Sequence, residues 1–338
     1  MTTPGRPLTP DIIASILRHV RQEMAADLEA ASVAAAKRLK KAHELAMRAL
    51  EADLKGLGST GLSSTIIERV AAGVEEALDG MDDDILDEGR QAQREGARAA
   101  RTVAERVFDA LKIARYAQPN AEGLLALIDI VDTPAYERWA RGFGKAHGQI
   151  VAAQLIRAAG EGKPGRAAEL AARQYLQRTA YYDAVRMVRT TQVVAARRGL
   201  HEIYRQNQGI VKGWVWVSAK DKRTCPSCWA MDGTRHGLDE ELNDHPAGRC
   251  APAPITEGYD DMRFKGGEEI FRELPRADQE DILGGGRWLA WRAGTFRFDQ
   301  LSQTFTHPVF GTMRHERSLR ELVGDEMAAE FIEDARRG

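Results

Sequence analysis

Two short runs decide how this chain is read: Cys225-Pro226-Ser227-Cys228, and Asp244-His245-Pro246-Ala247-Gly248-Arg249-Cys250. The first puts two thiols on one tight turn. Sixteen residues then separate Cys228 from His245, and four more separate His245 from Cys250. Two sulfurs on a turn, closed by a second donor pair after a loop return, is the spacing of a tetrahedral zinc site with Zn–S bonds of about 2.3 Å. The spacing predicts a Cys3His set of Cys225, Cys228, His245 and Cys250, with His236 as the alternative imidazole. Four protein donors leave no open position, so the expected Zn2+ is structural and not catalytic. It would contribute folding free energy on the order of 10 kcal/mol to a loop-rich segment with little core of its own.

Other chemistries fit the same residues less well. All three cysteines lie between Cys225 and Cys250, whereas a disulfide framework uses an even number spread along the chain. A nucleophilic Cys225 or Cys228 activated by His245 or His236 is one competitor, and a redox Cys-x-x-Cys is another. The redox reading lacks a surrounding βαβ pattern. A metal-dependent nuclease of the His-Asn-His type needs further His or Asn ligands on a following helix, and Gly248 to Ile255 supplies none. No acid pair, activated Ser or nucleotide loop is visible, so the expectation is a protein that is not an enzyme.

Outward from this segment the pattern is mainly helical. Gly213 is followed by Trp214, Val215, Trp216 and Val217, an aromatic and β-branched run that reads as a strand feeding the cysteines. Upstream, no Gly or Pro occurs from Asp11 to Leu54, and apolar or small residues recur from Leu17 to Leu50 in steps of 3, 4 and 4. That eleven-residue pattern predicts one long helix, capped near Thr9 and ended by Gly56, Gly58 and Gly61, about 65 Å in length. Part of it should pack on another helix or chain. Further helices are expected from Ser63 or Ser64 to Leu78, Asp83 to about Tyr116, Ala121 to Val131, Pro134 to about Ala159, Arg166 to Gln177 and Tyr181 to Tyr204. The third carries a line of small residues through Gly89, Ala92 and Gly96 and opens on Asp82, Asp83 and Asp84, where the helix dipole favours carboxylates. Beyond Pro254 the texture is loop and helix, including Gln279 to Leu283 and Leu319 to Ala335, with Gly284, Gly285 and Gly286 as a hinge or tight turn.

The fold class expected is mainly α: a long-helix bundle followed by a small α+β module with a zinc-finger-like site. The domains read as an elongated helical region over 1–134, a domain over 135–301 with the zinc segment at 213–255, and a helical tail over 302–338. With 48 basic and 50 acidic residues in 338, no whole-chain field draws the protein to nucleic acid or a membrane surface. The apolar run from Leu124 to Val131 is far short of the roughly 20 residues that span a bilayer. The amino terminus, with Pro4, Pro7 and Pro10, does not read as a secretory signal, so folding and assembly are expected in the cytoplasm. Basic side chains on one helix (Arg186, Arg189, Arg197, Arg198, Arg205), with Asp221, Arg223 and Arg249 by the finger, are candidate partner or DNA contacts, against surface salt bridging. Trp214, Trp216 and Trp229 offer either a partner-facing patch or packing over the metal.

At this point the residues resemble the Mu F-like head morphogenesis family, the minor head proteins of tailed phages. The family's central pattern appears as Trp216, Asp221, Arg223, Cys225, Cys228, Asp232, Gly233, His245, Pro246, Arg249 and Cys250. Upstream, Arg189-Thr190-Thr191 stands where the family often carries Arg-Thr-Glu; downstream, Ile282-Leu283-Gly284 with Arg287 looks like its closing segment. The resemblance covers roughly Ile150 to Leu301. Gly248 stands where many members have another Cys, which leaves Cys250 the only late sulfur. The resemblance implies a minor capsid component of the virion, in few copies or as an oligomer, located in the capsid interior or at the portal vertex. Its implied partners are the portal protein and other phage head proteins, and its implied work is procapsid assembly and DNA packaging or ejection. The alternative is a zinc module that binds the packaged phage DNA.

Overall fold

The computed structural model describes residues 10–51, 55, 62–163, 165–256 and 265–337. Thr9 and the glycines Gly56, Gly58 and Gly61, the expected cap and stop of the first helix, lie outside them. The first helix, α1 (Pro10–Ala49), forms because nothing in it breaks a helix. Its buried line runs Leu28, Ser32, Ala35, Leu39, His43 and Ala46 and continues to Leu50, with Ser32 and His43 buried in place of the expected Ala31 and Ala42. Ser63 caps α2 (Ser64–Asp79) by accepting from the Ile66 N–H, and α2 buries Ile67, Val70, Val74 and Leu78. Helix α3 (Asp82–Ala110) ends six residues before the expected Tyr116. A Schellman closure stops it: Lys112 is left-handed (φ 58°), with Ile113 N–H bonded to Phe108 O and Lys112 N–H to Asp109 O. No glycine marks that stop in the sequence.

Asn120 caps α4 (Ala121–Leu127) and Thr133 caps α5 (Pro134–Arg141). The chain breaks at Gly142 before α6 (Phe143–Gly160), then continues as α7 (Gly165–Tyr175), a π-helical turn (Leu176–Ala180) and α8 (Tyr181–Gln206). Two compact units emerge, each assembled from separated stretches, unlike the linear boundaries expected from the sequence. One comprises Leu28–Gly96 and Asp129–Ala195 and is helical among its described residues. Inside it, Gly144 and Gly148 bring α6 against α2: a Cβ at Gly144 would lie 2.6 Å from Glu75 O, and one at Gly148 2.7 Å from Ala71 O. Only glycine permits that approach of helix to helix backbone.

The other unit comprises Met1–Asp27, Ala97–Ile128 and Ala196–Gly338 and carries the cysteines. Its sheet has the order β2-β1-β3, all antiparallel, from β1 (Val211–Val217), β2 (Arg235–His236) and β3 (Ala251–Thr256). Strand β1 is buried except at Lys212, so the short apolar run predicted the strand correctly and underestimated its length. Trp214, Trp216 and Trp229 are all buried, which removes the partner-facing patch: packing accounts for each of them. Trp214 opposes Pro254 and Trp216 opposes Pro252 across the β1–β3 pairing. On the side of β3 away from β1, the Tyr204 hydroxyl of α8 donates to Pro252 O at 3.0 Å.

Beyond β3 lie α10 (Gly267–Glu273), α11 (Arg276–Leu283) and α12 (Gly285–Arg292), with Gly284 at φ 76° between the last two. The expected helical tail over 302–338 is corrected in its first half. A 3-10 turn (Phe298–Leu301) leads into an antiparallel hairpin, β4 (Ser302–His307) and β5 (Gly311–Glu316), with Phe305 opposite Met313. Helices α13 (Leu319–Val323) and α14 (Asp325–Arg337) follow. These carboxy-terminal elements share one apolar core: Leu319 and Ala328 pack with Trp229, Phe271, Leu283, Trp291 and Phe298. Among the described residues no helix is long and apolar enough to cross a membrane.

Candidate metal centre

The cysteine turn is a helix start. Cys225 is the N-cap of a short helix, α9 (Pro226–Met231), with Pro226 at the first position, where a missing N–H costs nothing. The Cys225 sulfur accepts from the Cys228 N–H at 3.4 Å, so both sulfurs leave the same end of α9. The Asp232-Gly233 turn then returns the chain to β1: Gly233, at φ 83°, donates its N–H to Trp216 O at 2.8 Å. His245 and Cys250 lie on the loop that leads into β3, and Ala251 pairs with Val217. The site therefore sits where β1 ends and β3 begins.

The donor atoms of Cys225, Cys228 and His245 lie within 4.8 Å of one another, and so do those of Cys228, Asp244 and Cys250. Cys228 belongs to both triads, so the four donors named from the sequence converge on it, with Asp244 as a fifth neighbour. His236 is elsewhere, stacked on Trp214 (ring centroids 4.2 Å apart) and hydrogen-bonded to Glu240 and Thr234. His245 Nδ1 lies 3.0 Å from Pro246 O. A carbonyl accepts only, so Nδ1 carries a proton and Nε2, 3.7 Å from Asp244 Oδ1, is the nitrogen a metal would take.

The electrostatics are those of crowded, buried thiols. Hydrogen bonds from Cys228 and then from His245 hold the Cys225 thiol down at about 5. The Cys228 thiol is pushed far up by the neighbouring Cys225 and Cys250 sulfurs, by burial and by the Asp244 charge. Burial alone would lower His245, but the Asp244 charge and the Cys225 sulfur outweigh it and raise the imidazole to about 9. Burial raises Cys250. The neighbouring Cys228 opposes that rise, and the buried Trp216 indole N–H has no hydrogen-bond partner. Protons are thus shared among three sulfurs and an imidazole in the space one divalent ion would take, and metal binding displaces protons from such groups.

Around the donors the named charges find different places. Arg249 and Asp221 form a two-pronged pair at 2.7 Å on each arm, and this hydrogen-bonded partner holds the Asp221 carboxyl down at about 2. Arg223 is exposed, and its backbone N–H donates to Asp221. Arg198 pairs with Glu241 and donates to Phe310 O; Arg189 pairs with Glu29. Arg197 is a correction to the reading of it as a partner or DNA contact. It is 3% exposed, and its guanidinium is taken up by Asp244 at 2.8 Å and by Cys250 O at 3.0 Å.

Sequence reasoning missed Asp244, which is buried and holds four donors: the His245 N–H (2.8 Å), Arg197 (2.8 Å), the Cys228 thiol (3.3 Å) and the Cys250 N–H (3.4 Å). The available signal was Gly248. A Cβ there would lie 2.1 Å from Asp244 Oδ2, so the space a side chain at 248 would take is filled by a carboxylate.

This arrangement defines a class: a mainly helical protein with a small sheet module, in which three thiols, an imidazole and a carboxylate sit close enough to hold a metal. Residues 149–253, from α6 through most of β3, match the family model described as Phage Mu protein F like protein. That stretch, which holds every donor, is a Mu F-like segment, and the family points to a phage head morphogenesis protein. No curated protein and no solved structure matches the chain.

Proposed function

We propose that the chain is a minor capsid protein of a tailed phage, a portal-associated structural adaptor acting in procapsid assembly and in DNA packaging or ejection. The observation that carries this reading is that the Mu F-like match and the donor cluster coincide: Cys225 to Cys250 lie wholly inside 149–253. Structural Zn2+ is part of the proposal. Three soft sulfurs and an imidazole suit that ion, and Cys225, Cys228, His245 and Cys250 would hold it with no position left for substrate. When bound, it would supply the cohesion that the loop between α9 and β3 lacks, fixing the module as a rigid surface. A DNA-binding role has less support, because Arg197 is buried and Arg189, Arg198 and Arg249 already face Glu29, Glu241 and Asp221.

Two measurements on the full chain test the proposal. Purified protein is expected to contain zinc, to lose it on Cys225→Ser, and to co-purify with the portal protein of its phage. Particles assembled without the chain that have normal protein composition, DNA content and infectivity would end the adaptor reading.

A further inference from the structure

Resting on the metal reading above, the geometry points to a division of labour within the five-residue cluster. We infer that Asp244 stays outside the metal's ligand set and that, clamped by Arg197 of α8, it is the positioning pair that shapes the chelating loop.

The oxygens of Asp244 are already committed. Oδ2 accepts from Arg197 at 2.8 Å and from the Cys250 N–H at 3.4 Å; Oδ1 accepts from the His245 N–H at 2.8 Å. Those three donors remain when a metal binds. Only the fourth, the Cys228 thiol proton at 3.3 Å, would leave. Oδ2 is taken up by Arg197, whose side chain is 3% exposed, and Oδ1 could reach a metal only in the place of the Cys228 thiol, beside the His245 N–H it already holds. An uncompensated guanidinium at that depth is costly, so the carboxylate keeps its partner. His245 is anchored through Nδ1 to Pro246 O, which leaves Nε2 on the donor side of the cluster, beside the Cys225 sulfur. With His245 as the fourth donor, three sulfurs and one imidazole complete a tetrahedral set without the carboxylate.

What Asp244 does instead is set geometry. It grips the backbone N–H of the two late ligands, His245 and Cys250, and so fixes their spacing. Arg197 completes the clamp by donating Nε to Cys250 O at 3.0 Å while its terminal nitrogen holds Asp244. One helical side chain thus touches both ends of the chelating loop. Groups that orient ligands in this way are typically worth about 10–100-fold in metal affinity.

The test uses the full-length protein, with zinc affinity measured by chelator competition and Co2+ as the optical probe. Asp244→Asn, which keeps the shape and loses the charge, and Arg197→Met are each expected to weaken zinc about 10–100-fold. The double variant should be weakened by clearly less than the product of the two, since neither charge is then left alone. Arg197→Lys, which keeps the charge and reaches one acceptor instead of two, should recover part of the loss. Through all of these the Co2+ charge-transfer intensity should stay that of three sulfurs, and the ligand-field bands should stay tetrahedral. Wild-type affinity in both single variants overturns the inference. So does a change of the Co2+ ligand-field bands in Asp244→Asn, which would make the carboxylate a ligand. If Arg197→Met does not fold, the isosteric Asp244→Asn decides alone. A wild-type chain that binds neither ion refutes the metal reading itself, a result distinct from either.

Discussion

Gly248→Ala is a one-carbon change whose effect follows from distances already given. The new methyl would lie 2.1 Å from Asp244 Oδ2, 2.6 Å from its Cγ and 3.0 Å from His245 O. Backbone strain is not the cause, because the left-handed residue of this turn is the neighbouring Ala247, at φ 55°. A free side chain would swing aside, but Asp244 is held on both oxygens and is 1% exposed. The alanine therefore displaces the carboxylate and strands Arg197. Removing one partner of a buried ion pair costs about 3–5 kcal/mol, more than the roughly 1–3 kcal/mol of plain overpacking. Urea unfolding followed by Trp fluorescence reads the right unit, since Trp214, Trp216, Trp229, Trp288 and Trp291 lie in it and only Trp139 lies in the other. The same substitution made in an Asp244→Ala background should cost little, because the methyl enters space the carboxylate has vacated, leaving a coupling of about 3 kcal/mol. Equal penalties in both backgrounds, or less than about 1 kcal/mol in the wild type, would refute the reasoning.

Two pH-dependent outcomes follow. Burial and then the Asp79 charge raise the Asp82 carboxyl from 3.8 to about 6, so the folded state holds its proton more tightly than the unfolded chain does. Stability from this group is complete below pH 3.8 and is lost as the pH rises through 6; Asp82→Asn should stabilise by about 1 kcal/mol at pH 7 after solvent screening and change nothing near pH 3.5. Thermal melts of both proteins at the two pH values check it, and no gain at neutral pH contradicts the burial argument. Asp221 is the opposite case: depressed to about 2, its pairing with Arg249 stabilises above pH 3.8 and fades as the pH falls toward 2. Because Asp221 is 46% exposed at the side chain, Asp221→Asn should cost no more than about 1 kcal/mol at pH 7, and a larger loss in the same melts would show that the pair is less solvated than its exposure indicates.

Local chemistry was legible in the sequence and long-range closure was not. Cys225 and Cys228 are readable because an N-cap sulfur and the third helical residue meet within one turn, whatever surrounds them. Asp244 reads in isolation as an ordinary turn residue before His-Pro, and its role appears only when Arg197, 47 residues upstream, folds over it. The same separation explains why Arg197 looked like one of several solvent-facing arginines on a basic helix. Helix α1 was clear from its uninterrupted period, while the end of α3 at Lys112 was hidden because a lysine takes the left-handed position that glycine usually marks. The β4–β5 hairpin escaped for another reason. Both of its faces are partly wet, with only Met313 fully buried, so the alternation that announces a half-buried strand is weak there. The extent of the two units could not be read linearly, since α1, α3 and α8 each contribute residues to both.

The free margin of β3 has a consequence for crowding. Pro252 and Pro254 carry no N–H, Tyr204 takes the Pro252 carbonyl, and Arg197 and Asp244 take the carbonyl and N–H of Cys250. A sheet border normally invites an extended segment of another chain to add itself by backbone hydrogen bonds. Here Pro252 and Pro254 offer no donor and the Pro252 carbonyl is already taken, so pairing with a further extended segment is disfavoured along this border.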